Sequence, residues 1–232
     1  MVIGGVTPLG ESLTLGAPNQ IGQETFLAER ELGALNVGGA GRIIVDGKSH
    51  ALAKYACLYV GKGAKDVLFE SDNAGTPAKF YLVSAPAHQA HPTVLLTRDN
   101  ARHLVTGEAA TANKRSIYQF IHPGVCQSCQ LTMGFTMIEQ GSVWNTMPAH
   151  LHDRRMEAYL YFEIPKESFV VHLMGRPQAT NHLIVRSEQA VVSPSWSIHC
   201  GAGTGSYAFI WSMAGDNQSF KDMDFVPMGD LK

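Results

Sequence analysis

His150 and His152, one residue apart, Glu157 five residues further on, and His199 behind a proline are the residues of this chain best equipped for chemistry. Imidazole and carboxylate are donors that divalent transition metals accept, and a set of three to one suits zinc, iron, manganese or nickel. Protein ligands that leave coordination positions open make a catalytic rather than a structural centre. An isolated His-x-His is more often a surface or hydrogen-bonded pair than a pair of ligands. The following Glu and the Pro-led His shift the reading toward a metal site. The other histidines, His50, His88, His91, His103, His122, His172 and His182, are expected to be surface or hydrogen-bonded residues.

Strands are needed to bring these four together. Residues i and i+2 of a strand face the same side, so His150 and His152 present their imidazoles side by side. Glu157 is at an odd offset from His152, which on an unbroken strand puts it on the opposite face. Asp153, Arg154 and Arg155 must therefore turn or bulge, so that Glu157 enters the next strand facing the same interior. His199 ends the run Pro194 to His199 and is expected from a distant strand, since closing a barrel brings remote strands together.

The rest of the chain fits that demand. Gly (23 residues) and Pro (11) punctuate short runs rich in Val, Ile, Leu, Tyr and Phe, the spacing of an all-β protein. Arg42 to Val45 followed by Asp46-Gly47 reads as a strand entering a tight turn. Helical periodicity is scarce, with Thr25 to Leu32 the one short candidate. A polar stretch from His91 to Arg115 reads as the crossing between two β-units, an N-terminal one over residues 1–110 and a C-terminal metal-binding barrel over 111–232. No residue-level repeat relates them, so a double barrel rests on their similar size.

Composition narrows the function classes. The chain has 232 residues, 45% hydrophobic and 16% charged, ample for a core without disulfides. A net charge of -2 leaves no basic face for nucleic acid or anionic lipid. Cys57, Cys126, Cys129 and Cys200 are unevenly spaced, which fits a reducing compartment, the cytoplasm, better than a secreted disulfide framework. The Cys126/Cys129 pair has no second C-x-x-C and reads as two ordinary thiols. The Gly-rich run Gly38 to Gly41 lacks the setting of a phosphate cradle and reads as turns. No stretch is apolar and long enough to span a bilayer. Met1 to Gly5 has neither a basic nor an apolar signal region, and the chain reads as though it starts within an ordered structure.

The order His-x-His, Glu, then a remote Pro-led His is the cupin signature. Within the cupins the chain resembles the 5-keto-4-deoxyuronate isomerase family over essentially its whole length. The runs that carry the likeness are Arg30–Gly33 (RELG), Leu58–Lys65 (LYVGKGAK), Thr76–Tyr81 (TPAKFY), Ala85–His88 (APAH) and Trp144–Pro148 (WNTMP). Arg154–Glu157 (RRME), Ser193–His199 (SPSWSIH), Phe209–Trp211 (FIW) and Asp222–Asp224 (DMD) complete it. Glu163 and Gly203 stand near the places where general cupin patterns have Gly and Asn, and family members usually carry an N-terminal segment ahead of this chain's start.

The resemblance implies double-stranded β-helix (bicupin-like) barrels, zinc as cofactor, and a homo-oligomer, a hexamer in the family. The implied activity is an aldose–ketose isomerisation in pectin breakdown, from 5-dehydro-4-deoxy-D-glucuronate to 3-deoxy-D-glycero-2,5-hexodiulosonate. Such a shift moves a proton between adjacent carbons while an enediolate is stabilised. Candidates for the base are Glu157, on the condition that its metal bond is labile, a metal-bound water, or another carboxylate such as Glu139. Arg154, Arg155 or Arg186 are candidates to hold the substrate carboxylate, because a guanidinium fork matches it. Two other readings remain open, a metal-dependent cupin dioxygenase and a non-catalytic sugar-binding cupin.

Overall fold

The computed structural model describes residues 1–216 and 222–232, and it is almost entirely β-strand. The chain divides into two compact units, Met1–Arg102 with Phe120–Thr132, and His103–Gln119 with Met133–Lys232. The sequence reading has one boundary, at residues 110 and 111; the observed division passes between the units three times. Glu31 accounts for the return of residues 120–132 to the first unit. Its fully buried carboxylate accepts the backbone N–H groups of Cys129, Gln130 and Leu131 at 2.7, 2.8 and 2.7 Å, and the Tyr59 hydroxyl at 2.8 Å. Charge-assisted bonds of this kind are about twice as strong as neutral ones.

The first unit is built on a five-stranded antiparallel sheet in the order Val2–Val6, Phe80–Pro86, Arg30–Asn36, Cys57–Val60, Val94–Leu96. A four-stranded sheet, Leu13–Thr14, Val67–Ser71, Gly41–Val45, Lys48–Leu52, shares its core. Leu32, Ala34, Leu58 and Phe80 from one sheet meet Ile43, Val45, Leu52 and Phe69 from the other. The tight turn at Asp46-Gly47 is present, with φ of 48° and 81°, and it closes the hairpin Gly41–Val45 with Lys48–Leu52. The helix expected over Thr25 to Leu32 is absent. Arg30–Asn36 is instead a central strand paired on both sides, and that pairing overrides local helical pattern. Phe26 and Leu27 still face the core, from a turn. The polar stretch from His91 to Arg115 is also more ordered than expected, holding the strands Val94–Leu96 and Arg102–Thr106. All four cysteines are free, and burial with Glu31 beside it pushes the Cys126 thiol up to about 12, the behaviour of an ordinary buried thiol.

The second unit rests on a six-stranded sheet in the order Arg102–Thr106, Arg115–Ile121, Thr132–Ile138, Ala208–Gly215, Arg155–Phe162, Gln189–Ser193. A four-stranded sheet, Trp144–Asn145, Ile198–Gly203, Val170–Arg176, Ala179–Val185, faces it. Tyr159, Tyr161, Val191 and Phe209 from the first pack with Val170 and Val185 from the second. A short pair, His150–Leu151 with Asp224–Phe225, completes the unit. Glu163 has φ 55°, the left-handed conformation that favours the Gly of the general cupin pattern. Behind the sheet faces runs a buried polar chain. The Tyr161 hydroxyl and His172 Nδ1 share a hydrogen bond at 2.7 Å, and Asn145 donates to Tyr207 at 2.7 Å. Among the described residues no helix is long and apolar enough to cross a membrane.

Candidate metal centre and active site

Three sheets contribute the four candidate ligands. His150 lies on the short strand beside Asp224–Phe225, and His152 directly follows that strand. Asp153 and Arg154 form the required turn, and Arg155 begins the strand Arg155–Phe162. Strand alternation then sends Arg155, Glu157 and Tyr159 to one face, where all three line a cavity. On the remote segment Ser197 N–H donates to the Pro194 carbonyl, closing a turn that starts the strand Ile198–Gly203 with His199 second in it.

The side chains converge. His150 Nε2 is 3.1 Å from His152 Nε2 and 3.2 Å from His199 Nε2. The Glu157 carboxylate oxygen is 2.9 Å from His199 Nε2 and 3.4 Å from His152 Nε2. One donor atom from each residue lies within 4.8 Å of all the others, so the cluster can hold a single metal ion. Ligand atoms held about 2.0–2.2 Å from one ion sit about 3 Å from each other, which is the spacing here. Three imidazole nitrogens and a carboxylate oxygen crowded this closely are a poor hydrogen-bond network and a good ligand set.

Electrostatics favour the same use. Burial, reinforced by neighbouring His199, brings His150 down to about 3, so at neutral pH it offers a lone pair rather than a charge. Burial opposes ionisation of Glu157, but the imidazoles of His199 and His152 outweigh it and hold the carboxyl well below the usual carboxylate range. The other nitrogen of His152, Nδ1, lies 3.6 Å from Asp222 Oδ1. That carboxylate also accepts a 2.8 Å hydrogen bond from Arg155 Nη2. A carboxylate on the far nitrogen fixes the tautomer that leaves Nε2 bare for a metal.

The cluster opens into a cavity of about 390 Å³, the size range of small-molecule sites. Glu157 is the one carboxylate among the described residues that line it. Of the three arginines expected to meet a substrate carboxylate, two lie elsewhere. Arg154 is exposed and pairs with Asp216 at 3.4 Å, because the turn that redirects Glu157 points residue 154 outward. Arg186 is exposed, with its Nη1 3.4 Å from the Ser168 carbonyl, and does not line the cavity. Arg155 is buried in the cavity wall, but Asp222 already engages it. Glu139 accepts from the Ser116 hydroxyl at 2.9 Å and also lies outside the cavity lining.

Arg115, Tyr159 and Asp222 are residues of this site that sequence reasoning did not single out. Arg115 joins the wall from the strand Arg115–Ile121, together with Ile117 and Gln119. The only signal for it was the alternation of that strand, which has no meaning until its neighbours are known. Burial, with Glu157 nearby, pushes the Tyr159 phenol well up, so it stays protonated in the cavity wall.

Two facing antiparallel sheets in each of two units, with three imidazoles and a carboxylate meeting at the mouth of one, define an all-β protein of the cupin kind. The chain belongs to the KduI/IolB family, whose model matches residues 11–228. It is 52% identical to 4-deoxy-L-threo-5-hexosulose-uronate ketol-isomerase 2 of Enterococcus faecalis over 232 residues, all of this chain and 84% of that protein. It is likewise 52% identical to ketol-isomerase 1 of the same name from Rhizobium meliloti, covering 83% of it. Among solved structures, an IolB-like protein from Salmonella typhimurium superposes with a TM-score of 0.80 at 15% identity, over 97% of this chain and 86% of that one. An oxalate decarboxylase from Lactobacillus farciminis gives 0.62 at 10% identity, over 83% of this chain and 73% of that one. At such identities these two likenesses speak for the fold alone.

Proposed function

We propose that this chain is a zinc-dependent ketol-isomerase that converts 5-dehydro-4-deoxy-D-glucuronate to 3-deoxy-D-glycero-2,5-hexodiulosonate. The observation that carries the proposal is the meeting of His150, His152, Glu157 and His199 in one cluster, three of whose members line a cavity whose only carboxylate, among the described residues, is Glu157. The names of relatives at 52% identity over the whole chain supply the substrate. His150, His152, Glu157 and His199 would hold the zinc. When bound, it supplies Lewis acidity to an enediolate, a redox-neutral task that suits a metal without redox chemistry of its own.

The residues of the chain divide the remaining work. Glu157 is the one carboxylate of the described cavity lining, and it would carry the proton between the two carbons only with its metal bond open; a coordinated water is the other candidate for that task. Tyr159 stays protonated and can donate a hydrogen bond to a substrate oxygen. Arg155 and Asp222 keep His152 oriented. Phe209, Trp211, Met213 and Phe225 give the cavity apolar walls that limit water around the enediolate. The reading extends to a cytoplasmic homo-oligomer, a hexamer, working in pectin and uronate catabolism.

The test is metal analysis of the purified protein together with an isomerase assay on the keto-uronate. One zinc per chain with turnover, both abolished in His150→Ala, is the expected result. Oxygen uptake with iron in the site would replace the proposal with a dioxygenase. Full isomerase activity in His150→Ala would remove the metal site from the reaction.

A further inference from the structure

The cavity holds two guanidinium groups that differ in what answers their charge. Arg155 has Asp222 at 2.8 Å. Arg115 is half-buried, donates from Nη1 to the Asn113 carbonyl at 2.8 Å, and has no carboxylate partner among the described residues. The groups that act on it electrostatically are the phenols of Tyr159 and Tyr207, both pushed well up by burial and therefore neutral. A guanidinium drawn partly out of water without an anion is costly to maintain, and most of its planar donor fork is left unspent. An incoming carboxylate would satisfy both.

Position supports a ligand role. Tyr159 stands two residues from Glu157 on the same strand face, its ring lies 5.7 Å from that of His199, and it is within electrostatic reach of Arg115. Arg115 and Tyr159 therefore line the same cavity as His150, His152 and Glu157 of the cluster. A six-carbon sugar acid has its carbonyl and its carboxylate at opposite ends of one chain. We infer that Arg115 is the anchor for the substrate carboxylate and the residue that makes this cavity select uronates over neutral sugars. The inference rests on the isomerase reading for the identity of the turned-over substrate, but the anchor can be tested without turnover.

The experiment measures binding of D-glucuronate and of D-glucose to the metal-loaded protein by calorimetry, alongside KM and kcat for the keto-uronate. Hydrogen bonds to a charged group contribute about 1.5–3 kcal/mol, so glucuronate should bind roughly 10- to 100-fold tighter than glucose to the unsubstituted protein. Arg115→Gln should bring the two sugars to the same affinity and raise KM by about the same factor, with kcat changed far less. Arg115→Met, which keeps the packing of the aliphatic stem, repeats the comparison if the amide variant fails to fold. Arg115→Lys should restore part of the discrimination. Equal binding of both sugars by the unsubstituted protein would overturn the inference. So would a variant that keeps the preference for glucuronate, or one that loses both sugars equally. Arg115-dependent glucuronate binding without keto-uronate turnover would leave the anchor standing and remove the isomerase reading instead.

Discussion

Replacing Asp222 with asparagine should weaken zinc binding roughly 10- to 100-fold while keeping the fold. Asp222 Oδ1 is 3.6 Å from His152 Nδ1 and 2.8 Å from Arg155 Nη2, and the side chains of His152 and Arg155 are 3% and 1% exposed. Two unit charges 3.6 Å apart at an effective dielectric of about 20 interact by roughly 4–5 kcal/mol. A metal-bound imidazole carries only a fraction of a charge, and Arg155 cancels part of the carboxylate field. About 1.5–3 kcal/mol of support for the ligand therefore survives, which corresponds to the quoted factor. The asparagine amide keeps the volume and an acceptor oxygen, but it removes the larger of the negative charges that answer Arg155 beside the cluster, an effect of the same sign. The assay is competition for zinc with a chromophoric chelator of known affinity, read beside a thermal melt of the metal-free protein. A dissociation constant within threefold of the unsubstituted protein would refute the reasoning. A lowered melting temperature with unchanged zinc affinity would reduce the Asp222–Arg155 pair to a structural role.

Two further outcomes follow from groups away from the metal. Glu31→Gln must turn an amide NH₂ toward at least one of the three backbone N–H groups that the carboxylate now accepts. The stranded donor and the lost charge assistance should cost about 2–4 kcal/mol and lower the melting temperature by roughly 10 °C; a shift under about 2 °C would contradict it. His172, fully buried and hydrogen-bonded to Tyr161, is pushed by burial, with His199 adding, from 6.5 down to about 3. The unfolded chain therefore takes up a proton that the folded one refuses, so this stability is complete above about pH 6.5 and is lost as the pH falls toward 3. Between pH 6.5 and about 5 the loss should reach about 2 kcal/mol. Melts of metal-free protein at both pH values, with and without His172→Gln, check it; equal slopes would exclude His172 as the source.

The candidate ligands were legible because most of their relations are local. His150 and His152 are paired by strand period, the charged turn at Asp153 and Arg154 resets the parity for Glu157, and Pro194 sets the entry of His199. The same turn hid its own consequence, since it throws Arg154 into solvent while Arg155 begins the strand and turns inward. Arg115 could not be read, because its membership depends on which strands become neighbours, and no period in the sequence encodes that; Asp222 stood in the run Asp222–Asp224 without a role attached to it. Arg30–Asn36 escaped for a related reason. The short helix read over Thr25 to Leu32 overlaps only its start, and hydrogen bonding on two flanks decides the matter.

The strand Arg115–Ile121 separates two duties by parity. Its odd positions, Arg115, Ile117 and Gln119, line the cavity. Its even positions hold the unit together: Ser116 bonds to Glu139 at 2.9 Å, and Tyr118 stacks between His103 and Phe135 at 4.4 and 4.9 Å. Substitutions at the three odd positions would therefore reshape the cavity, while the positions between them carry contacts that hold the sheet. Divergence of appetite and constancy of architecture need not compete when they are written on opposite faces of one strand.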